Sequence, residues 1–163
     1  MMVTVCGLPG VGKTTVAERI AKRLEAAILK TNDIRAELFP TPQWTPEEFQ
    51  AVYDELFASA KTILAQGLPL ILDGTFVKQK NRDRVRALAA DRGVKCTLVL
   101  VTCDEQIVRE RIEQRQRDDS NGAPYWAYEQ FKSFLEPVTE KHVVIENNES
   151  IAQLDKTLSA LFP

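Results

Sequence analysis

A short glycine-rich segment near the start of the chain has the residue types that hold a phosphate chain. It reads Gly7-Leu8-Pro9-Gly10-Val11-Gly12-Lys13-Thr14, with Thr15 following. The spacing fits the P-loop pattern G-x-x-x-x-G-K-[ST], whose glycines let backbone amides close around an anion. Lys13 would add a positive charge at the β- and γ-phosphates, and the Thr14 hydroxyl would serve as a ligand of Mg²⁺. The segment predicts a site for a nucleoside triphosphate such as ATP, together with Mg²⁺.

A second candidate group follows the apolar run at residues 68–72, where Asp73-Gly74-Thr75-Phe76 begins. A carboxylate at the end of a buried strand can hold Mg²⁺, directly or through water, or orient the hydroxyl that accepts a phosphoryl group. The alternative is that Asp73 caps the following turn. The P-loop favours the functional interpretation. Thr75 and Phe76 would then line the acceptor pocket, with Trp44 and Tyr53 as further candidates.

A third group, Asn32, Asp33 and Arg35, follows the second predicted strand. A carboxylate here could accept the proton of an attacking hydroxyl, and Arg35 could hold an anionic acceptor or a phosphate. The alternative is that Asn32 and Asp33 cap a short helix and that Arg35 lies on its solvated face. The position beyond a strand end favours function.

Four arginines, Arg109, Arg111, Arg115 and Arg117, fall in one predicted helix before a polar loop. Arg111 and Arg115 are four residues apart and therefore share a helix face. We expect a lid at about residues 111–124, in which Arg111 and Arg115 close over the transferring phosphoryl group. The alternative is a solvated helix whose arginines pair with nearby glutamates.

The elements that must position these groups alternate between strands and helices. Hydrophobic patterns predict strands at 2–6, 26–30, 68–72, 96–102 and 142–146, and helices at 13–24, 33–38, 46–65, 82–92, 105–117, 125–135 and 151–161. The third helix has the best-marked start, with Thr45 as N-cap, Pro46 as first residue and Glu48 completing a capping box. This order predicts an α/β fold of the P-loop type, with a five-stranded parallel sheet and helices on both faces. The candidate residues then share the carboxyl edge of the sheet.

Composition narrows the class of protein further. The 163 residues suit a single domain over 1–163, and 44% hydrophobic with 27% charged residues is typical of a soluble protein. No apolar run reaches membrane-spanning length, and the first strand leaves no room for a signal peptide. The net charge of −2 gives no general attraction to long nucleic acid. The three cysteines suggest free thiols, so we expect a cytoplasmic protein.

Taken together, the motifs resemble those of the small P-loop kinases grouped with zeta-toxin-like and polynucleotide-kinase-like ATP-binding proteins. The matching stretches are GLPGVGKTT (7–15), TNDIRAELF (31–39), YDELFASA (53–60), LILDGTF (70–76), RERIEQR (109–115) and YEQFKSFLEP (128–137). The resemblance implies that Lys13 and Thr14 bind phosphate and Mg²⁺. It also implies a D-x-x-R element after the second strand, where Arg35 matches the arginine but Asn32 replaces the catalytic Asp.

The sequence therefore predicts an ATP- and Mg²⁺-dependent kinase that phosphorylates a hydroxyl on a small molecule or a nucleic acid 5′ end. Asp73, with Asp33 as a further candidate, would orient or deprotonate the acceptor. The rival interpretation is a nucleotide-dependent switch or regulatory ATP-binding module without an acceptor. Guanine specificity is not predicted, because the Asn-Lys-x-Asp element is missing near Asn147. Neither the acceptor nor the oligomeric state follows from the sequence.

Overall fold

A computed structural model describes residues 1–118 and 124–163 and contains a five-stranded parallel sheet. Its strands are β1 (Met2–Cys6), β2 (Ala27–Lys30), β3 (Leu70–Asp73), β4 (Cys96–Thr102) and β5 (Val143–Glu146), in the spatial order β2-β3-β1-β4-β5. β1 and β3 are buried along their whole length. Their continuous apolar sequences suit strands that are covered on both faces. The predicted α/β fold is confirmed.

Helices cover both faces of this sheet. They are α1 (Lys13–Leu24), α2 (Thr31–Leu38), α3 (Pro46–Ala65), α4 (Gln79–Asp91), α5 (Glu105–Asp118), α6 (Tyr125–Phe134) and α7 (Ile151–Leu161). One core joins the sheet to α1, α5 and α7, with Val16, Ile112 and Leu158 among its members. The other core joins it to α3 and α4 through residues such as Leu56 and Leu88. These two cores give the expected three layers.

The central strand β1 brings two of the predicted groups side by side. β1 pairs with β3 on one side and with β4 on the other. Beyond the ends of β1 and β3, the N–H of Gly74 donates to the Val5 carbonyl, and the N–H of Gly7 donates to the Thr75 carbonyl, each at 3.2 Å. The P-loop and the Asp73 turn are therefore joined by backbone hydrogen bonds at the carboxyl edge of the sheet.

Several helix boundaries differ from the predicted ones, and the ends of α4 and α6 differ by only one residue. α2 begins at Thr31, so Asn32 and Asp33 lie inside its first turn rather than ahead of it. α4 begins at Gln79. The predicted start at Arg82 is too late because residues 79–81 are polar and carry no hydrophobic pattern. α5 continues through Asp118, and residues 119–123 of the predicted lid lie outside the described residues.

The predicted start of α3 is confirmed, but one part of its cap is wrong. The Thr45 hydroxyl accepts a hydrogen bond from the N–H of Glu48 at 3.2 Å, and Pro46 opens the helix. The Glu48 carboxylate does not close a capping box on Thr45. It accepts from the N–H of Gln43 at 2.9 Å and from that of Trp44 at 2.7 Å. The carboxylate reaches further because the loop before Thr45 folds back over the helix end.

Within residues 1–118 and 124–163, no helix is both long enough and apolar enough to span a membrane. All three cysteines, Cys6, Cys96 and Cys103, are free thiols, as predicted.

Candidate active site

The P-loop leaves the amino terminus of α1 open to a ligand. Gly12 is the N-cap residue of α1, with φ of 88°, and no side chain caps the helix there. A Cβ at Gly12 would overlap the Asn147 side chain, so the backbone approaches this neighbour more closely than another residue allows. Because the first amides of a helix have no partners within it, they are available to phosphate oxygens, which the helix dipole also favours.

Lys13 occupies the position that the P-loop pattern requires. Its ammonium group donates a hydrogen bond to the Leu8 carbonyl at 2.9 Å, so the side chain folds back along the loop. Burial lowers the pKa of Lys13 to about 8, and the Arg115 charge adds to that decrease, while Asp73 opposes it. A bound phosphate would supply negative charge beside Lys13 and so favour its charged form.

Thr14 and Asp73 meet directly at the edge of the sheet. The Thr14 hydroxyl donates to Oδ2 of Asp73 at 2.7 Å. Asp73 is only 4% exposed, and burial raises its pKa, although the Thr14 hydrogen bond and the Lys13 charge act in the opposite direction. One hydroxyl and one carboxylate suit Mg²⁺, which takes most of its ligands from water and substrate phosphates. In the described residues no cluster of three or more acidic, histidine or cysteine side chains forms an all-protein cage.

These groups open into one cavity of about 150 Å³. The P-loop, residues 73–75, α2, α3 and the segment between these two helices line it, together with Arg115 and Phe131. Asn32, Arg35, Trp44 and Tyr53 line this cavity, whereas Asp33 does not and is exposed. A larger cavity of about 300 Å³ lies between β5 and α7, but neither the P-loop nor any arginine or lysine lines it.

Arg35 forms the most unusual part of the cavity wall. Its side chain is 6% exposed, and its Cζ atom lies 4.7 Å from the Trp44 ring centroid and 4.4 Å from that of Phe49. Those two centroids are 6.2 Å apart, so they stand nearly at a right angle as seen from Cζ. We call this arrangement of Trp44 and Phe49 the aromatic corner. It surrounds the cation with attractive ring faces but offers it no hydrogen-bond acceptor.

Two nitrogen atoms of the Arg35 guanidinium, Nε and Nη1, are buried and make no hydrogen bond to any residue in the described part of the chain. Burial lowers the pKa of Arg35, and Glu48 only partly offsets that effect. Each buried donor without a partner costs about 1–3 kcal/mol. The arrangement is therefore unfavourable in the empty cavity.

Tyr53 and Arg82 hold the turn after Asp73 through hydrogen bonds to Phe76, and the sequence analysis predicted this role for neither. Phe76 has φ of 45°, an uncommon value for a residue with a side chain. Its N–H donates to the Tyr53 hydroxyl at 2.9 Å, and its carbonyl accepts from Nη1 of Arg82 at 2.9 Å. Phe76 is fully buried against the Tyr53 ring and does not line the cavity, whereas Thr75 does. Phe76 thus supports the pocket from behind.

Arg82 is buried more deeply than Arg35 and is hydrogen-bonded at every nitrogen. Nε donates to Glu140 at 2.7 Å, Nη1 also contacts the Val77 carbonyl at 3.3 Å, and Nη2 donates to the carbonyls of Glu136 and Pro137 at 3.3 and 2.8 Å. This network ties the Asp73 turn to the segment between α6 and β5. No local signal in the sequence reveals it, because the residues from Glu136 onward lie more than fifty positions away.

The predicted lid arginines separate into different environments. Arg115 lines the cavity, as its predicted role requires. Arg111 instead donates to the carbonyls of Asn147 at 2.9 Å and Val11 at 3.4 Å, and so braces the P-loop against the end of β5. Asn147 completes the brace, since its amide donates to the Val11 carbonyl at 2.8 Å. The Cζ atom of Arg109 lies 3.9 Å from the Tyr125 ring centroid.

Comparison with known proteins places the chain in a family. The chain belongs to the AAA domain family (AAA_33), whose model matches residues 2–138. It is 29% identical over 132 residues to an uncharacterized protein of Mycobacterium tuberculosis, covering 74% of this chain. The chain spans about a quarter of the length of that relative, 26%. It is also 26% identical over 142 residues to a cytidylate kinase of Archaeoglobus fulgidus, covering 78% of this chain and 76% of that protein.

Solved structures share the fold over nearly the whole chain. Kti12 of Chaetomium thermophilum in complex with ADP-AlF3 has a TM-score of 0.77 at 18% identity, covering 99% of this chain and 97% of that one. The APS kinase of Mycobacterium tuberculosis in complex with AMPPNP and APS has a TM-score of 0.72 at 19% identity, covering 98% and 95%. The α/β fold is therefore that of P-loop kinase structures. The predicted zeta-toxin-like or polynucleotide-kinase-like subgroup stays a prediction.

Proposed function

We propose that the protein is an ATP- and Mg²⁺-dependent kinase that transfers the γ-phosphoryl group to a hydroxyl of a small molecule or of a nucleic acid 5′ end. The observation that carries this proposal is the shared cavity. The P-loop and the Thr14–Asp73 pair line it together with residues of α2 and α3, among them the buried Arg35. A nucleotide-binding module without an acceptor has no need of these additional lining residues.

The donor side follows from the P-loop geometry. The free amides at the start of α1 and the Lys13 ammonium would hold the β- and γ-phosphates. Thr14 and Asp73 are the residues that would hold Mg²⁺, which neutralises charge on those phosphates when bound. Arg115 already faces the cavity, and it would act on the transferring group, with Arg111 joining it if α5 rotates. Catalysis would come mainly from positioning and electrostatics.

The acceptor side rests on Asp73 and Arg35, with Asp33 as an open candidate. In the empty site burial raises the pKa of Asp73, and a bound Mg²⁺ would oppose that shift, so the part of Asp73 rests on its position in the cavity lining beside Thr14. Asp73 would therefore orient the acceptor hydroxyl or take its proton. Asp33 is exposed and outside the cavity, so it could act only after a movement of α2. Arg35 would grip the acceptor or the phosphate.

The comparisons support a kinase, although they leave the acceptor open. Cytidylate kinase and APS kinase both carry the word kinase in their names, and the former is similar over most of both chains. The structure of Kti12 contains ADP-AlF3, and the likeness to it leaves open the rival, a nucleotide-dependent switch that transfers no phosphoryl group to a small acceptor. Both alternatives share the donor side. They differ in whether a phosphorylated product forms.

The test is transfer from γ-labelled ATP to a broad library of hydroxyl compounds, with short 5′-hydroxyl oligonucleotides and CMP included. We expect one class of labelled product. Lys13→Ala and Asp73→Asn should each reduce its formation by about 100-fold or more, as losses of phosphate or transition-state contacts do. Asp54→Asn is the matched control, because Asp54 is exposed and pairs with Arg84. Asp33→Asn shows whether Asp33 takes part.

Two outcomes would count against parts of this proposal. ATP turnover without a labelled product from any compound would favour the switch. Labelling of CMP alone would keep the kinase but move the acceptor from a hydroxyl to a phosphate oxygen.

A further inference from the structure

No acidic side chain in the described part of the sequence forms an ion pair with Arg35, whose Nε and Nη1 atoms have no hydrogen-bond partner there. Glu48 is the carboxylate whose charge acts most strongly on the pKa of Arg35. Both of its oxygens are already engaged, because they accept from the N–H groups of Gln43 and Trp44. Thr45 then caps α3 and fixes Glu48 within its first turn. The Glu48 oxygens are thereby committed to backbone N–H groups and form no hydrogen bond with the guanidinium in the described residues, so the guanidinium stays available to a negative group from outside.

Arg35 enters the cavity wall from another element than the cations of the donor side. Lys13 begins α1 and Arg115 belongs to α5, whereas Arg35 lies on α2, and all three line the cavity. A group held by Arg35 would thus contact an element outside the P-loop, and the matched acceptors below test whether that group is distinct from the transferred phosphate.

The aromatic corner fits such a group. A guanidinium presents parallel N–H donors along its edges, and these match the two oxygens of a carboxylate, phosphate or sulfate. In the empty cavity Trp44 covers part of the cation, but about half of the Trp44 surface, 51%, is exposed and its φ is 58°. Trp44 belongs to no helix or strand, so a shift of its ring can uncover the Nε and Nη1 donors.

We propose that the acceptor carries an oxyanion in addition to the group that is phosphorylated, and that Arg35 binds this oxyanion within the aromatic corner. This inference rests on the proposed function, since it names the chemical class of that acceptor. Trp44 covers Arg35 when the site is empty and moves when the oxyanion enters. The recognised class comprises small hydroxylated carboxylates, phosphates and sulfates, and the matching neutral alcohols lie outside it.

The first test measures binding without turnover. Trp126 is 62% exposed and α6 contains it, so Trp126→Phe leaves Trp44 as the single tryptophan reporter. With AMPPNP and Mg²⁺ saturating the donor side, matched pairs are titrated: gluconate and glucose, glycerol 3-phosphate and glycerol, and phosphate, sulfate and acetate alone. We expect saturable changes in Trp44 fluorescence with anions and none with neutral partners. Arg35→Gln should weaken anion binding by about 10- to 100-fold, the range for charge-assisted hydrogen bonds.

Controls separate binding from folding. Arg84→Gln is the matched variant, because Arg84 also lies over a phenylalanine ring, Phe57 at 4.3 Å, but it does not line the cavity. It should bind anions within twofold of the parent. Arg35→Lys keeps the charge without the planar fork and should fall between the parent and Arg35→Gln. Circular dichroism and thermal unfolding confirm that each variant is folded.

Several results would overturn the inference. These are equal anion binding by Arg35→Gln and the parent, equal binding of neutral and anionic partners, or no saturable response to any anion. The second test, transfer from γ-labelled ATP to the same pairs, separates this inference from the kinase proposal. Transfer to neutral acceptors alone would uphold the kinase and overturn the oxyanion. Anion binding through Arg35 with no transfer to any acceptor would uphold the oxyanion site and overturn the kinase proposal.

Discussion

Arg35 and Arg82 are both buried arginines, and the hydrogen-bonding states of their guanidinium groups are opposite. Arg82 is 1% exposed and its nitrogens donate to Glu140 and to four backbone carbonyls. Arg35 is 6% exposed, and its Nε and Nη1 atoms have no partner in the described part of the chain. Burial alone therefore does not distinguish an arginine that stabilises the fold from one that is available to a ligand. The two are distinguished by whether their guanidinium nitrogens have hydrogen-bond partners.

The difference follows from what each residue must do. Arg82 joins the turn at Phe76 to the segment at Glu136 and Pro137, so its hydrogen bonds are permanent. Arg35 lines a cavity that a ligand must enter, so internal partners would compete with that ligand. The cost of its unpaired donors is an expected feature of binding sites, where polar groups are arranged for a partner that comes from outside.

The largest effect on stability is expected from Arg82→Met. This change leaves Glu140 buried without its partner and frees the carbonyls at Phe76 and Pro137. Loss of one member of a buried ion pair costs about 3–5 kcal/mol of unfolding free energy. Urea unfolding measures it, with Arg84→Met as the exposed control, for which about 0–1 kcal/mol is expected. A loss below about 1 kcal/mol for Arg82→Met, within the exposed-pair range, would show that the network is dispensable.

A smaller effect is expected from Tyr53→Phe. The variant keeps the ring that packs edge-on against Phe76 but removes the acceptor of the Phe76 N–H. An unsatisfied buried donor costs about 1–3 kcal/mol. Urea unfolding again provides the measurement, with Tyr125→Phe as control because the Tyr125 hydroxyl is exposed and pairs with Glu105. If both variants match the parent, the Tyr53 hydroxyl does not hold the turn.

The Arg82–Glu140 pair also predicts a dependence of stability on pH. Burial alone would raise the pKa of Glu140, but its backbone N–H and Arg82 outweigh burial and hold that pKa below 4.5. A carboxylate with a lowered pKa in the folded state contributes stability above its unfolded pKa and loses that contribution as pH falls through the folded value. The unfolding free energies of the parent and of Glu140→Gln should therefore converge as pH falls below 4.5.

The control for this pH series is Glu37→Gln, at an exposed position in α2. Its difference from the parent should stay nearly constant over the same pH range. If the parent and Glu140→Gln keep a constant difference down to pH about 3, below the usual glutamate pKa, the Arg82 pair does not set the acid sensitivity.

The smallest loss of stability is expected from Arg35→Met. The variant removes a buried cation with unpaired donors, which favours folding, and it removes two cation–π contacts worth about 0.5–1 kcal/mol each. Because the unpaired donors cost at least as much as the two contacts supply, the unfolding free energy should stay the same or rise, and any fall should be below about 1 kcal/mol, the value of one such contact. A loss of about 3 kcal/mol, the value for a broken buried pair, would place Arg35 with Arg82 as a structural residue.

How much the sequence could predict depended on the distance between interacting residues. The bounds of α1, the order of strands and helices along the chain and the Thr45 cap came from local patterns and are confirmed. Arg111 was expected over the phosphates, yet its partner Val11 lies 100 positions away in the chain. The partners of Arg82 and the aromatic corner likewise depend on packing between distant segments. Hydrophobic periodicity carries no information about such pairs.

The hydrogen bond from the Asn147 amide to the Val11 carbonyl bears on when the phosphate site forms as the protein folds. The two residues are 136 positions apart, and Asn147 lies beyond residues 2–138. The loop with the clearest signature in the sequence is thus braced by a residue that is synthesised 136 positions after it. Contacts of such long range form slowly and late. A nascent chain that has already emerged with its P-loop would gain tight nucleotide affinity only when β5 joins the sheet.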